Sequence, residues 1–365
     1  MLFLTLMLLF SGMTVYAAQP KTTLPDGTAP SNGPVGEITE HADDGLPTTP
    51  DLLAVRKKAY NKLKLTWTQA EDADGYLIYR KTGSESYKRI AVIRGNSVCS
   101  YTDKNFICNK KYTYAVKSYV KSDGQTIKSK ASNKISKKSK YIGMQKADNC
   151  LYYFDKNYKC YRKVDGSKKM ICLTYDDGPS PNTNTILNIL KKYDSTATFF
   201  VVGNRVGSYR STVKKAYKYN CQIASHTYSH ATLTSLSASG IRSQMSKTDA
   251  AIKKIIGEPA HVMRPPGGSY NSTVKSTVRK PIIYWSIDTR DWATRNSGKT
   301  VSSVLNNARD GDIVLMHDLY EQTAAASKTI IPTLVKRGYQ LVTIDEMAAL
   351  RGGMKNGSVY SSFRE

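Results

Sequence analysis

Met170-Ile171-Cys172-Leu173-Thr174-Tyr175-Asp176-Asp177-Gly178-Pro179 is the stretch on which the fold turns. Its first six residues form a mostly apolar run that reads as a strand, and two acids followed by Gly-Pro end it in a turn. A helical pattern follows at 183–192, and the same alternation then repeats. Strand-like runs recur at 196–202, 221–225, 261–263, 282–287, 313–316 and 340–344, with further helical patterns at 238–256 and 323–336. Counted this way, about seven βα units predict an α/β domain over 168–352, a distorted (β/α) barrel, followed by a tail at 353–365. In such a barrel the C-terminal ends of the strands share one rim, where sites are built. Residues 176, 226, 264, 288–291 and 317 all follow strands and would meet there.

The chain has only five histidines, and three of them, His226, His230 and His317, stand at strand ends together with the Asp176-Asp177 pair. Imidazole and carboxylate suit a divalent metal such as zinc, which readies water for attack near neutral pH. Each motif alone has a plainer reading. Asp176-Asp177-Gly178-Pro179 could be a turn, His226 and His230 surface residues, Arg264-Pro265-Pro266-Gly267 a rigid turn, Asp291-Trp292 a packed aromatic beside a cap, and His317-Asp318 a strand end. Together, complementary groups at successive strand ends of one barrel point to hydrolysis. Hydrolysis needs an activated nucleophile, stabilisation of the developing charge and a proton for the leaving group.

These residues carry a resemblance. Thr174-Tyr175-Asp176-Asp177-Gly178-Pro179, His226-Thr227-Tyr228-Ser229-His230, Arg264-Pro265-Pro266-Gly267-Gly268, Asp288-Thr289-Arg290-Asp291-Trp292 and Leu315-Met316-His317 stand in the order of five motifs of the polysaccharide deacetylases, carbohydrate esterase family 4. The segment 168–350 resembles that family. The resemblance implies Asp177, His226 and His230 as metal ligands, for zinc or else cobalt, nickel or manganese. It implies Asp176 as general base, Arg264 as its partner, His317 as general acid and Asp291 as the group that stabilises its imidazolium. Trp292 and Leu315 would wall the acetyl pocket. Gly267 stands where the family usually has an aromatic residue; its backbone N–H could still serve an oxyanion, with Tyr270 near enough to replace some packing. The implied substrate is N-acetylglucosamine in peptidoglycan, with chitin oligosaccharide, poly-N-acetylglucosamine and acetyl-xylan as alternatives. A non-catalytic wall-binding protein on the same scaffold is the competing class.

Upstream, residues 51–141 turn to period two, as in Leu63-Lys64-Leu65-Thr66-Trp67 and Tyr112-Thr113-Tyr114-Ala115-Val116. Short strands between turns predict a small β-sandwich preceding the barrel, which resembles a fibronectin type III domain in its Trp67 and its late Tyr-x-Tyr-x-Val strand. Its tyrosines read as packing residues and not as a sugar platform. Residues 142–167 read as a connector hairpin. Residues 19–50 hold six of the thirteen prolines and read as a linker, in which His41 carries no chemistry. Residues 1–18 read as a secretory signal, a retained membrane anchor being the competing reading. The protein is therefore expected to be exported and wall-associated. Export permits disulfides, and Cys99/Cys108 and Cys150/Cys160 are spaced to bracket turns, whereas Cys172 and Cys221 read as packed thiols. His261 reads as an ordinary strand residue.

The formal charge is +25, and residues 51–141 alone hold 21 Lys and Arg against seven Asp and Glu. That surplus predicts attraction to an anionic cell-wall polymer. A basic surface also suits nucleic acid, but no recognition motif accompanies it, so no nucleic-acid partner is expected.

Overall fold

The structure is a computed structural model that describes residues 45–364. The signal-like segment 1–18, most of the Pro-rich stretch 19–50 and His41 lie outside the described residues. Among those described, no helix is long and apolar enough to cross a membrane.

The strand Met170–Asp176 is buried at every residue. Its alternate residues serve two cores. Met170 and Cys172 pack with Phe200, Ala224, Ile283 and Ile313 inside a ring of strands. Ile171, Leu173 and Tyr175 face the helices, where they meet Ile186, Leu187 and Leu190 of the helix Thr183–Lys192 and Ile330 of Glu321–Lys336. Burial on both faces explains the apolar run.

The strand lies parallel to Asp312–His317 on one side and to Thr198–Val201 on the other, and the latter is parallel to Gln222–Ser225. Parallel bridges from Ser225 to Met263 and from Met263 to Ile282 continue the ring. It closes where Ile287–Asp288 pairs parallel with Asp312–His317. Register brings Asp176 opposite His317 at one end of the ring. His226 follows Ser225 and Arg264 follows Met263, so these side chains share that end.

The distortion of the ring has local causes. The expected strand at 261–263 shrinks to a single bridge at Met263, and 340–344 to Gln340–Leu341. Pro259, Pro265 and Pro266 flank the first of these and cannot donate to a ladder. The helix Ala238–Ile256 spans the expected residues. Ser237 caps it by accepting from the Gly240 N–H, and Gly257 ends it at φ +89°.

The tail expected at 353–365 belongs instead to the barrel. Val359–Tyr360 pairs parallel with Ile282–Ile283, and the Phe363 N–H donates to the Gly311 carbonyl at 2.7 Å. Phe363 is buried in the ring's interior cluster, which no sequence periodicity signals.

Upstream of the barrel stand two antiparallel sheets. Leu52–Ala59, Lys62–Trp67 and Ser100–Asp103 form one, and Gly75–Thr82, Lys88–Arg94, Lys111–Ser122, Gln125–Lys128 and Ile135–Lys138 form the other. Leu63, Leu65 and Trp67 from the first share a core with Tyr76, Ile78, Tyr114 and Val116 from the second.

Residues 142–167 hold three strands in place of the expected two-stranded hairpin: Gly143–Ala147, Cys150–Phe154 and Cys160–Asp165. Neither cysteine pair bridges, and all six thiols are free. Register explains the second pair, since Cys150 faces Asp165 while Cys160 faces Phe154, at opposite ends of the hairpin. In the first pair the Cys108 thiol donates to the Tyr60 carbonyl at 3.1 Å and the Cys99 thiol to that of Asn96 at 3.4 Å.

A buried ion pair fastens this sheet to the barrel. Arg162 Nε donates to Glu346 Oε1 at 3.2 Å and Nη2 to Oε2 at 3.3 Å, while the Tyr153 hydroxyl donates to Oε1 at 2.8 Å. Removing one partner of a buried pair leaves the other charge uncompensated. Arg162→Ala is expected to cost about 3–5 kcal/mol, read as a lower urea midpoint; an unchanged midpoint would show that the sheet docks without this pair.

Candidate active site and metal centre

Asp177, His226 and His230 converge at the rim. One ligand atom from each lies within 4.8 Å of the others. His230 Nε2 is 3.0 Å and His226 Nε2 3.3 Å from Asp177 Oδ1. The His226 Nδ1 pairs with the Arg264 carbonyl at 2.8 Å. A proton on that nitrogen leaves the Nε2 lone pair facing Asp177, the arrangement that metal-ligating histidines use. Asp177 Oδ1 is buried and lacks a well-formed hydrogen bond among the described residues. An orphaned carboxylate oxygen between two imidazoles fits a divalent cation. Burial pushes the Asp177 carboxyl up, but the two histidines outweigh it and hold it well below the usual range.

The backbone here is held in uncommon conformations. Asp177, Thr227 and His230 have φ of +68°, +65° and +58°, and a β-branched residue such as Thr227 rarely enters that region. The loop is tied down from neighbouring elements. Gly203 and Asn204 donate their N–H groups to the Thr227 and Tyr228 carbonyls, each at 2.9 Å. Gln244, on the helix Ala238–Ile256, accepts from the Tyr228 and Ser229 N–H groups at 2.8 and 3.0 Å.

Asp176 sits beside this cluster, 3.8 Å from His226 Nε2 through its Oδ2. Its other oxygen accepts from Arg264 Nη1 at 2.7 Å. Arg264 is wholly buried, donating further to Thr174 Oγ1 and to the Ile283 and Tyr284 carbonyls at 2.8, 3.1 and 2.8 Å. Its guanidinium lies 4.2 Å from the Phe200 ring centroid. With its donors so committed, Arg264 holds Asp176 in one orientation.

His317 stands on the other side. Its Nδ1 pairs with Asp291 Oδ1 at 2.8 Å, and the other Asp291 oxygen accepts from the His317 N–H at 2.8 Å and the Thr323 hydroxyl at 2.6 Å. Burial pulls the imidazole down, but Asp291 and the nearby acids outweigh it and raise His317 above its ordinary value.

Asp176, Asp177, His226, His230, Gly267, Trp292, Leu315 and His317 line one cavity of about 390 Å³. Arg264 and Asp291 lie behind it, touching Asp176 and His317. Trp292 is half exposed at its edge and Leu315 buried. Gly267 adopts φ +62°, which suits glycine, and a Cβ there would meet almost nothing.

The packing missing at Gly267 is not supplied by Tyr270. Trp285 lines the cavity and stacks on Tyr284 with centroids 4.0 Å apart, while Tyr270, which is not among the lining residues, meets Tyr284 edge-on at 6.1 Å. The two rings also require glycine at 268, where a Cβ would lie 2.8 Å from Tyr284 and 2.9 Å from Trp285.

With this geometry in view, the sequence model for polysaccharide deacetylases matches residues 163–281. A peptidoglycan-N-acetylglucosamine deacetylase of Bacillus cereus is 36% identical over 194 residues, 51% of this chain and 91% of that protein. The chain belongs to the polysaccharide deacetylase family. Its members are hydrolases. The peptidoglycan-N-acetylmuramic acid deacetylase PdaC of Bacillus subtilis is 40% identical over 189 residues, covering 52% of this chain and 40% of that protein. The chain thus spans about two fifths of the length of that relative. A family 4 acetyl xylan esterase from Clostridium thermocellum, solved with a cobalt ion, is 32% identical with a TM-score of 0.51, over 53% of this chain and 98% of that one. The family's barrel-like α/β architecture agrees with the ring of parallel strands.

Sequence reasoning missed Trp285, Tyr320 and Asp318. Trp285 and Tyr320 reach the cavity from outside the motifs, Tyr320 three residues beyond His317. Asp318 is buried under Gly178, where a Cβ would come within 2.2 Å of its carboxylate. Burial pushes that carboxyl up to about 7. Its place directly after His317 was the available signal.

Proposed function

We propose that this protein is a divalent-metal-dependent deacetylase that hydrolyses the N-acetyl group of N-acetylglucosamine residues in peptidoglycan. One observation carries the reading: Asp177, His226 and His230 form a cation-sized cluster flanked by Asp176 held by Arg264 and His317 held by Asp291. A cation bound there, with zinc the best fit and cobalt, nickel or manganese usable, would acidify water and polarise the acetyl carbonyl. Asp176 accepts the proton of the attacking water through the oxygen that Arg264 leaves free. His317, kept as imidazolium by Asp291, delivers a proton to the departing nitrogen. The Gly267 N–H is suited to meet the developing oxyanion, and Trp292 and Leu315 to enclose the acetyl methyl. A cavity of about 390 Å³ lies within the ~300–1,000 Å³ range of small-ligand sites.

Peptidoglycan is favoured because relatives with that substrate in their names share this half of the chain. Acetate release from peptidoglycan, chitin oligosaccharide, poly-N-acetylglucosamine and acetyl-xylan tests the choice. Activity on xylan alone would remove the amidase reading. Wall binding without acetate release, in protein shown to contain metal, would favour the non-catalytic class. Chelation is expected to abolish release and added metal to restore it.

The roles of His317 and Asp291 predict a pH effect. The acid must be protonated, so activity falls as pH rises through the His317 pKa. Asp291→Asn removes the main influence raising that pKa, so the alkaline limb should move to lower pH, with kcat down about 10²-fold or more. An alkaline limb that stays in place would mean that another group supplies the proton.

We further read residues 51–141 as a fibronectin type III-like module whose positive charge attracts an anionic wall polymer, in a protein exported by its N-terminal segment. Cell fractionation and salt-dependent retention on purified walls test this.

A further inference from the structure

A second cleft, of about 680 Å³, opens at the end of the barrel away from the catalytic rim. Gln222 lines it, and Gln222 opens the strand whose far end leads to His226. One wall comes from Met144, Tyr153 and Tyr161, which precede the residues matched by the family's sequence model, and the rest from the barrel. The sheet 143–165, docked on the barrel, closes one side of the cleft.

Its chemistry is specific. Met144, Tyr161 and Tyr217 are 43%, 50% and 42% exposed, an unusual concentration of large apolar surface around one opening. The Tyr161 hydroxyl donates across the cleft to Asn220 Oδ1 at 3.1 Å. Gln222 Oε1 is used twice, accepting from Thr198 Oγ1 and the Asp345 N–H at 3.0 and 3.1 Å. Its Nε2 is buried and has no hydrogen-bond partner among the described residues. Glu258 and Asp345 add carboxylate acceptors, bridged by His261, whose Nδ1 is 2.8 Å from Asp345 and whose Nε2 is 3.9 Å from Glu258. His261 is thus an exposed cleft residue and not the strand residue its sequence suggested.

Against these two acids the cleft offers one lysine, Lys218. In a chain of net charge +25, such a balance does not recruit a polyanion. Exposed aromatic faces beside carboxylate and amide acceptors suit a pyranose, with apolar ring faces and a rim of hydroxyls. We propose that this cleft binds a second stretch of the amino-sugar glycan, holding the polymer while another part occupies the catalytic cavity. The choice of ligand rests on the glycan-deacetylase reading; the existence of the site rests on the cleft alone.

Chitotetraose and its fully de-N-acetylated counterpart are titrated calorimetrically into the full chain carrying His317→Ala, which prevents turnover. Two binding sites are expected. Adding Tyr161→Ala or Tyr217→Ala, both at exposed positions, should weaken one of them about tenfold and leave the other unchanged, and Glu258→Gln should weaken the same one. Preference for the acetylated probe makes the cleft a substrate site, and preference for the amine probe a product site; each supports the proposal. A single site in the parent, affinities untouched by these substitutions, or polyphosphate binding in the cleft instead would overturn it. If the deacetylase reading alone is wrong, acetate release fails while the second site still titrates.

Discussion

Asp176→Asn is expected to lower acetate release by about 10²–10⁴-fold, the range for removing a general base, while metal content stays near that of the parent protein. The substitution keeps shape and an acceptor for Arg264, whose other donors remain bonded to Thr174, Ile283 and Tyr284. The buried guanidinium therefore stays satisfied and the fold should survive. What is lost is the basic oxygen facing the cluster. Metal analysis and kinetics on one preparation check this, and near-parental turnover would remove Asp176 from the chemistry.

The opposite pattern is expected of Asp177→Ala or His226→Ala, in which metal and activity disappear together. Groups that merely orient metal ligands already cost about 10–100-fold in affinity when changed, so deleting a ligand should cost more. Asp177 stands within 3.3 Å of both imidazoles, and without its carboxylate the pair loses the one oxygen that lies between them. Equilibrium dialysis with zinc measures the loss. A protein that keeps both metal and turnover after Asp177→Ala would have its ion elsewhere. The contrast between the two substitutions, adjacent in sequence, is the sharpest test of the assigned roles.

Much of the barrel was readable because local rules agree with the global fold. The helix Ala238–Ile256 shows its periodic apolar face in sequence, and in the structure Ser237 caps it and Gly257 ends it. The buried run ahead of Asp176 is equally direct. The edges of the pattern failed where prolines and curvature intervene, as at 261–263 and at 282–287, which divides into Ile282–Ile283 and Ile287–Asp288. Cysteine spacing misled because proximity in sequence says nothing about register, and Cys150 and Cys160 end up at opposite ends of a hairpin. His261 looked like a strand residue because it sits beside apolar neighbours, yet the chain there leaves the sheet.

The residues named from the motifs are brought together at one cavity, and lining residues outside the motifs were not named. Trp285 has the same character as any buried aromatic in the sequence. Only stacking on Tyr284, beside a glycine at 268 with no room for a Cβ, turns it into a cavity wall. Arg162 and Glu346 are ordinary charges in sequence, and their pairing across 184 residues depends on the docking of a sheet.

The chain's residue order alone determined the alternation of strands and helices and the set of acids and imidazoles at strand ends, because periodicity, caps and turns act over a few residues. Tertiary structure decided which of those groups meet. Parallel register brought Asp176 level with His317, and closure of the ring brought Arg264 under Asp176. Packing of distant segments drew Phe363 and Trp285 inward, since contacts between remote parts of a chain are set by how whole faces bury one another and leave no mark in the local pattern.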